Sequence, residues 1–299
     1  MDRLQAMATF VAVVECGGFA SASRKLKLSA PMVTRAVAEL EERLGLRLLN
    51  RTTRVVRPTD AGARYADDCR RILADIDEAE AAASGTDAAA RGTLMLTAPV
   101  LFGHLYVMPI LVKYLQQAPE VDAQCLFVDR VVNLVEEGLD VAVRIGELPD
   151  SSLQAVRVGQ VRRVLVAAPD YLEARGRPLR PEDLARHCIV SASGVTPNTD
   201  WHFVEDGEPA TQRLHPRMTT TSNDSAIAAA VAGFGIARLL SYQVASHLRA
   251  GTLQVMLEEF EQPPWPIHVV HREGRRATQK VRGFIDLAVT MLRADPSLN

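Results

Sequence analysis

The chain has 299 residues, 47% hydrophobic and 23% charged, a composition that excludes a disordered or collagenous protein and leaves length for two or three domains. A net charge of −2 argues against a uniformly basic nucleic-acid coat, but the average conceals a division. Residues 1–58 carry ten Lys/Arg against five Asp/Glu, and residues 59–90 carry three against eight, so a basic head precedes an acidic segment. Cys16, Cys69, Cys125 and Cys188 are widely spaced, with no C-x-x-C pair or clustered histidines, so they read as reduced thiols of a cytoplasmic protein, with no metal site and no cofactor motif. The apolar run 6–14 follows Asp2, ends at Glu15 and lacks a convincing cleavage site, which predicts no export signal; no run is long enough to span a bilayer.

Leu4, Met7, Phe10, Val11 and Val14 repeat at helical spacing until Gly17-Gly18 stops them. A short helix over 19–26 follows. The next runs over 29–44, with Val33, Ala36, Val37, Leu40 and Leu44 on one stripe. Ser29 is suited to cap it, and Pro31 falls where a missing N–H costs least. Thr34 and Arg35 lie near its N-terminal end and Glu39, Glu41 and Glu42 farther back, an arrangement suited to entering a DNA groove tip first. Beyond Gly45, Leu48-Leu49 and Val55-Val56 flank a polar tip of Arg51, Thr52, Thr53 and Arg54, which predicts a two-stranded wing for phosphates or a minor groove.

The run G-G-F-A-S-A-S-R-K-L-K-L-S-A-P-M-V-T-R-A-V-A-E-L-E-E-R-L-G-L-R-L-L-N-R-T-T-R-V-V-R-P-T-D-A-G resembles the winged helix-turn-helix of LysR-type transcriptional regulators. Its combined S-x-P-x-V-[ST]-R, L-E-x-x-L-G and R-T-T-R-x-x-x-x-T-x-A-G motifs are specific. The family often has Gln where this chain has Ala30, and Leu where it has Pro58; loss of the amide removes a bidentate contact to adenine. The resemblance implies a DNA interface of Ser29, Ala30, Pro31, Thr34, Arg35, Arg51, Thr52, Thr53 and Arg54.

Thr59 is placed to cap a helix running to about Ala83. Tyr65, Cys69, Ile72, Ile76, Ala79 and Ala83 form a heptad seam along it, whose partner is either a second copy of the helix or the chain's own head. The family uses this helix for dimerisation, which favours the first and implies paired heads on a dyad operator. Residues 84–92 read as a hinge.

Farther on, strands alternate with helices: strands over 93–98, 122–128, 140–145, 163–168, 189–191 and 267–271, and helices over 102–117, 131–137, 224–231 and 278–292. The pattern implies doubly wound α/β sheets with ligand sites at strand ends. L-T-A-P-V-L-F-G, E-E-G-L-D-V-A-V-R-I-G, A-A-P-D-Y-L, A-G-F-G-I-A and V-R-G-F-I-D extend the LysR resemblance over essentially the whole chain, implying a periplasmic-binding-protein-like effector domain of two subdomains. The expected fold is therefore multidomain: a winged helix-turn-helix over 1–58, a linker helix and hinge over 59–91, and an effector domain over 92–299. Its first subdomain is assigned 92–160 and 267–299, and its second 161–266. Thr97, Ala98 and Pro99 end the first strand, Ser222, Asn223 and Asp224 precede a helix of the second subdomain, and Arg144 and Trp201 complete the expected effector site. Arg144 also suits a structural ion pair, and Trp201 a place in the second core.

No G-x-S-x-G elbow, phosphate loop, H-E-x-x-H or dinucleotide fingerprint appears, so no catalytic residue is assigned. The expectation is a homodimeric or homotetrameric regulator that binds operator DNA and a small effector and acts on RNA polymerase. The alternatives are a small-molecule-binding protein without DNA function, and a hydrolase.

Overall fold

A computed structural model of the chain describes residues 2–51, 56–83, 90–148, 153–192, 199–272 and 277–298. They form two compact units, Met1–Ala89 and Ala90–Asn299.

The first unit opens with α1 (Arg3–Glu15), capped by Asp2, whose carboxylate accepts the Leu4 N–H at 2.7 Å. Helix α2 (Phe19–Leu26) ends at Lys27 in the left-handed region, and α3 (Ala30–Leu44) starts where the Ser29 hydroxyl accepts the Met32 N–H. Gly45, at φ 68°, terminates α3 in a conformation that a β-carbon disfavours. Strands β1 (Leu49–Arg51) and β2 (Val56–Pro58) pair antiparallel, and α4 (Asp60–Ala83) begins where Thr59 Oγ1 accepts the Gly62 N–H at 2.9 Å.

The core of this unit joins Phe10, Val13, Ala22, Val33, Val37, Leu40 and Leu48, all fully buried, to Ala66 and Cys69 of α4. Helix α1 buries Ala6, Met7, Phe10, Val11, Ala12 and Val13 rather than a narrow stripe, because α2, α3 and α4 all pack on it, while Leu4 at one end stays exposed. At Gly62 a β-carbon would sit 1.9 Å from the Leu48 carbonyl oxygen, so only glycine lets α4 lie this close to the base of the wing.

The second unit contains two five-stranded sheets. The first has the order β4-β3-β5-β14-β6, with β3 (Arg91–Ala98), β4 (Glu120–Phe127), β5 (Val141–Ile145), β6 (Gln154–Val161) and β14 (Trp265–His271). Strand β3 is parallel to β4 and β5, and β14 runs antiparallel between β5 and β6. Helical residues α5 (Val100–Phe102), a π-helical stretch Gly103–Val107 and α6 (Met108–Gln117) follow one another on this lobe, with α10 (Gln279–Arg293) against α6.

The second sheet has the order β11-β8-β12-β7-β13, from β7 (Arg163–Ala167), β8 (Ile189–Ala192), β11 (Met218–Thr220), β12 (Ile236–Leu240) and β13 (Gln254–Met256). Helices α7 (Pro169–Arg175), α8 (Asn223–Val231) and α9 (Ser241–Arg249) and the hairpin β9–β10 (Asp200–Glu205, Glu208–Arg213) complete this lobe. The chain passes between lobes after β6 and again before β14. The two passages are tied together by Arg162, which lies 3.3 Å from both Glu258 and Glu261.

The helix expected over 131–137 is a turn. Asn133 accepts the Val135 and Glu136 N–H groups on its side chain, Val131 and Val135 are largely exposed, and Gly138 at φ 65° reverses the chain. Asn133 caps a single helical turn, closed by the Glu137 N–H on the Asn133 carbonyl, and Gly138 ends it at once; the buried residues, Val132 and Leu134, are two apart, a spacing that does not form one helix face. The sheets are also mixed rather than parallel throughout, because β7, β13 and β14 run antiparallel to their neighbours.

Candidate nucleic-acid interface and effector cleft

Helix α3 divides its residues cleanly. Val33, Ala36, Val37 and Leu40 are buried, and Ser29, Ala30, Pro31, Met32, Thr34 and Arg35 are exposed along the N-terminal turns. The Thr34 hydroxyl donates to the Ala30 carbonyl at 3.0 Å, which turns its methyl and remaining lone pair outward. Arg35 is 82% exposed and pairs with Glu39 one turn on, at 2.7 Å, an exchangeable contact in water. The pair holds the Glu39 carboxyl below the usual carboxylate range through the Arg35 hydrogen bond.

Glu41 has a separate task. Its Oε1 accepts the Leu48 and Leu49 N–H groups at 2.8 and 3.0 Å, fastening the first wing strand to α3. This role belongs to the L-E-x-x-L-G motif, but nothing in its spacing discloses the partner strand. Thr52, Thr53 and Arg54 at the wing tip lie outside the described residues, as does the side chain of Arg51.

The seam on α4 is split. Tyr65 and Cys69, expected at a dimer contact, face the head core instead: Cys69 is fully buried and the Tyr65 ring lies 5.9 Å from that of Phe10. Helix α1 covers this end of the seam, and burial raises the Cys69 thiol pKa above its usual value. Ile72 is 38% exposed and Ile76 half-buried; the side chain of Ala79 lies outside the described residues.

In the second unit a cleft of about 700 Å³ opens between the lobes. Thr97, Ala98, Pro99, Arg144 and Asn223 line it. Thr97 is almost wholly buried and donates its hydroxyl proton to the Leu126 carbonyl at 2.7 Å, so it has no donor left for a ligand. Arg144 donates to the Val132 carbonyl, which anchors the 131–137 turn, and burial lowers its pKa. Trp201 sits elsewhere, 3% exposed in the second-lobe core, because the β9–β10 hairpin folds it under the sheet. Ser222 caps α8 through the Ser225 N–H and Asp224 is exposed on that helix's first turn; neither lines the cleft, where Thr221 and Asn223 stand instead.

Sequence reasoning did not single out Asp129, Arg163, Arg238, Tyr242 or Trp265, which also line the cleft. Asp129 accepts the Val100 N–H at 3.0 Å with one oxygen and the Asn223 amide at 3.3 Å with the other, thus joining the lobes across the opening. Arg163 lies 4.2 Å from the Trp265 ring centroid and donates to Gln262. A visible signal was Arg238 inside the apolar run I-A-R-L-L; Arg163, at the head of R-V-L-V-A, gave none. Among the described residues no group of three His, Cys, Asp or Glu side chains is placed to hold a metal ion, and no helix is long and apolar enough to cross a membrane.

A winged helix-turn-helix with Arg35 exposed on α3, followed by two α/β lobes around a cleft, defines a DNA-binding regulator with a sensor domain. Comparison with known proteins agrees. Residues 4–63 match the bacterial regulatory helix-turn-helix protein of the lysR family, and residues 87–293 match the LysR substrate binding domain. An HTH-type transcriptional repressor of Pseudomonas aeruginosa is 34% identical over 100% of this chain and 95% of its own length. An HTH-type transcriptional regulator of Haemophilus influenzae is 32% identical over 95% of this chain and 99% of its own. The full-length structure of the Vibrio cholerae virulence activator AphB superposes with a TM-score of 0.62 at 27% identity, covering 97% of this chain and 99% of that one.

The chain belongs to the LysR family of transcriptional regulators. It is a sequence-specific DNA-binding regulator that responds to a small-molecule effector, not an enzyme, and proteins of this family form oligomers.

Proposed function

We propose that the exposed N-terminal turns of α3 read operator bases and that the inter-lobe cleft receives the effector. The observation that carries the first part is the division of α3: its apolar stripe is consumed by the head core while Ala30, Pro31, Thr34 and Arg35 remain free to enter a major groove. Ser29 and the wing residues Arg51, Thr52, Thr53 and Arg54 contribute phosphate or minor-groove contacts. Residues 1–58 form the DNA-binding domain, 59–91 the linker, and 92–299 the sensor, with subdomains of 92–160 plus 267–299 and of 161–266.

Two heads address the halves of a dyad operator through a homodimer joined along α4, at Ile72, Ile76 and Ala79 rather than at the buried Cys69, and two dimers pair into a homotetramer. In the cleft, Ala98, Pro99, Arg144 and Asn223 contact the ligand. A bound effector favours one relative orientation of the lobes, through a difference in affinity between the two states. That shift changes head spacing and the access of RNA polymerase to a promoter in the cytoplasm. By linkage, operator DNA alters effector affinity by the same factor.

Selection of bound fragments from genomic DNA, followed by titration at increasing salt, tests the reading. Affinity falls steeply with salt because cations at the head displace counterions from phosphates. Arg35→Ala costs about 1–3 kcal/mol on the selected site and relaxes its sequence preference. Equal weakening on all duplexes would demote Arg35 to a phosphate contact, and no duplex binding at low salt would overturn the interface.

A further inference from the structure

The charges on the cleft wall do not balance. Among the described lining residues there are four arginines, Arg130, Arg144, Arg163 and Arg238, and one carboxylate, Asp129. Arg130 is neutralised outside the cleft by Glu137 at 2.8 Å, and Asp129 is engaged by the Val100 and Asn223 donors. Arg144 donates to the Val132 carbonyl and Arg163 to the Gln262 side chain, neutral acceptors that leave both charges unpaired. Arg163 and Arg238 are the two that stand side by side.

These two stand on neighbouring antiparallel strands of the second lobe. Arg238 pairs in register with Leu165, two residues beyond Arg163, so side-chain alternation puts both guanidinium groups on one face as diagonal neighbours. Each lies over an aromatic ring: Arg163 over Trp265, and Arg238 over Trp201 at 4.9 Å. The rings hold the planes but bring no negative charge. Nη1 of Arg238 is buried without a hydrogen-bond partner, and no carboxylate pairs with either arginine among the described residues. Burial, and then the adjacent Arg163 charge, lowers the Arg238 pKa to about 10, which leaves it protonated at neutral pH. Setting two half-buried like charges side by side costs stability unless a counter-charge arrives. A protein retains such a pair where a ligand supplies it.

The rest of the lining limits the kind of anion. Val143, Ile145, Leu239, Leu240 and Tyr242 give the cleft apolar walls beside the two guanidinium groups. Planar forks match a carboxylate through paired N–H···O bonds, and apolar walls match a hydrocarbon or aromatic body rather than a fully hydrated ion.

We infer that the effector is a small organic carboxylate, its carboxylate held by Arg163 and Arg238 and its apolar body lying against Leu239, Leu240 and Tyr242. The inference rests on the reading of the cleft as the effector site, and adds both the ligand class and a pair of residues that recognise it.

Thermal unfolding of the full-length protein, with calorimetry for affinity, provides the test. The probes are benzoate, hexanoate and adipate, each beside its uncharged amide, and inorganic phosphate. At least one carboxylate should raise the midpoint of the effector unit while its amide does not. Arg238→Met should weaken that carboxylate about tenfold or more, the factor expected when a charge-assisted hydrogen bond is lost. In anion-free buffer Arg238→Met should unfold no earlier than the wild type, because it removes a half-buried charge that has no counter-charge. Arg163→Gln, which keeps a polar side chain, should weaken binding in the same direction.

An amide that binds as well as its acid, stabilisation by phosphate alone, or a panel without effect would overturn the carboxylate assignment. So would a carboxylate whose affinity is unchanged in both variants. Operator binding by the same preparation separates these outcomes from failure of the regulator reading. Retained DNA affinity with no carboxylate response sinks only the ligand class.

Discussion

Replacing Glu41 by alanine tests whether the wing is held by the recognition helix. The carboxylate accepts two backbone N–H groups, from Leu48 and Leu49, residues whose relative exposures are 0% and 2%. Hydrogen bonds to a charged acceptor contribute about 1.5–3 kcal/mol each, and a buried donor left unpaired costs about 1–3 kcal/mol. Glu41 is itself half-buried and water reaches part of the gap, so we take the lower end for each bond, a loss of about 2–3 kcal/mol for the pair. Glu41→Gln keeps an oxygen acceptor and should lose about half as much.

The two units can be followed separately in the intact protein. Both tryptophans, Trp201 and Trp265, lie in the second unit, so their fluorescence reports that unit, while far-ultraviolet circular dichroism at 222 nm also senses the helical head. In a urea titration the Glu41→Ala dichroism transition should move to lower denaturant while the fluorescence midpoint stays in place. Operator affinity should fall as well, because the wing is no longer fixed against α3. A head transition within about 0.5 kcal/mol of the wild type, the range of an ordinary surface substitution, would refute the reasoning.

Gly62→Ala drives a methyl group into the Leu48 carbonyl and should cost the head about 1–3 kcal/mol or more, read in the same dichroism transition; a neutral result means that α4 moves aside freely. At Glu15, burial pushes the pKa upward, but bonds to Lys25 at 2.8 Å and Arg70 at 3.4 Å outweigh it and hold the carboxyl below its ordinary 4.5. The resulting stabilisation is present above pH 4.5 and is lost as pH falls through the lowered folded value, so Glu15→Gln should flatten the head's acid-unfolding profile in that window. Asp129→Ala removes the bond across the cleft, worth about 1 kcal/mol, and should shift the effector unit toward more open forms. Small-angle scattering should then show a larger radius of gyration in the variant; equal radii would mean that other contacts close the lobes.

The head was legible in the sequence because its instructions are local. Ser29 and Thr59 cap helices through hydroxyls a few residues from their N–H partners, Gly45 ends α3, and the α3 stripe recurs at helical spacing. The core strands of the sensor, apolar runs of five to eight residues such as β3, β5 and β14, were visible for the same reason. Edge strands β6, β11 and β13 and the β9–β10 hairpin were not, since partly exposed strands owe their form to pairing rather than to periodicity, and neither was central strand β12, whose apolar run Arg238 interrupts.

Tertiary structure decided which face of each element met which neighbour. A heptad seam carries no label for its partner, and only packing shows α1 occupying the Tyr65 and Cys69 end while Ile72 stays exposed. Trp201 suited a ligand contact or the second core, and the fold places it in that core, whereas Arg144 stays on the cleft wall with the Val132 carbonyl as its acceptor. Arg163 and Arg238 lie 75 positions apart in the chain, and register alone makes them neighbours. Local sequence thus determined most elements of the head, their caps and the exposed N-terminal turns of α3, whereas the charge of the cleft arose from strand pairing, which brings distant residues together by backbone hydrogen bonds that almost any side chain permits.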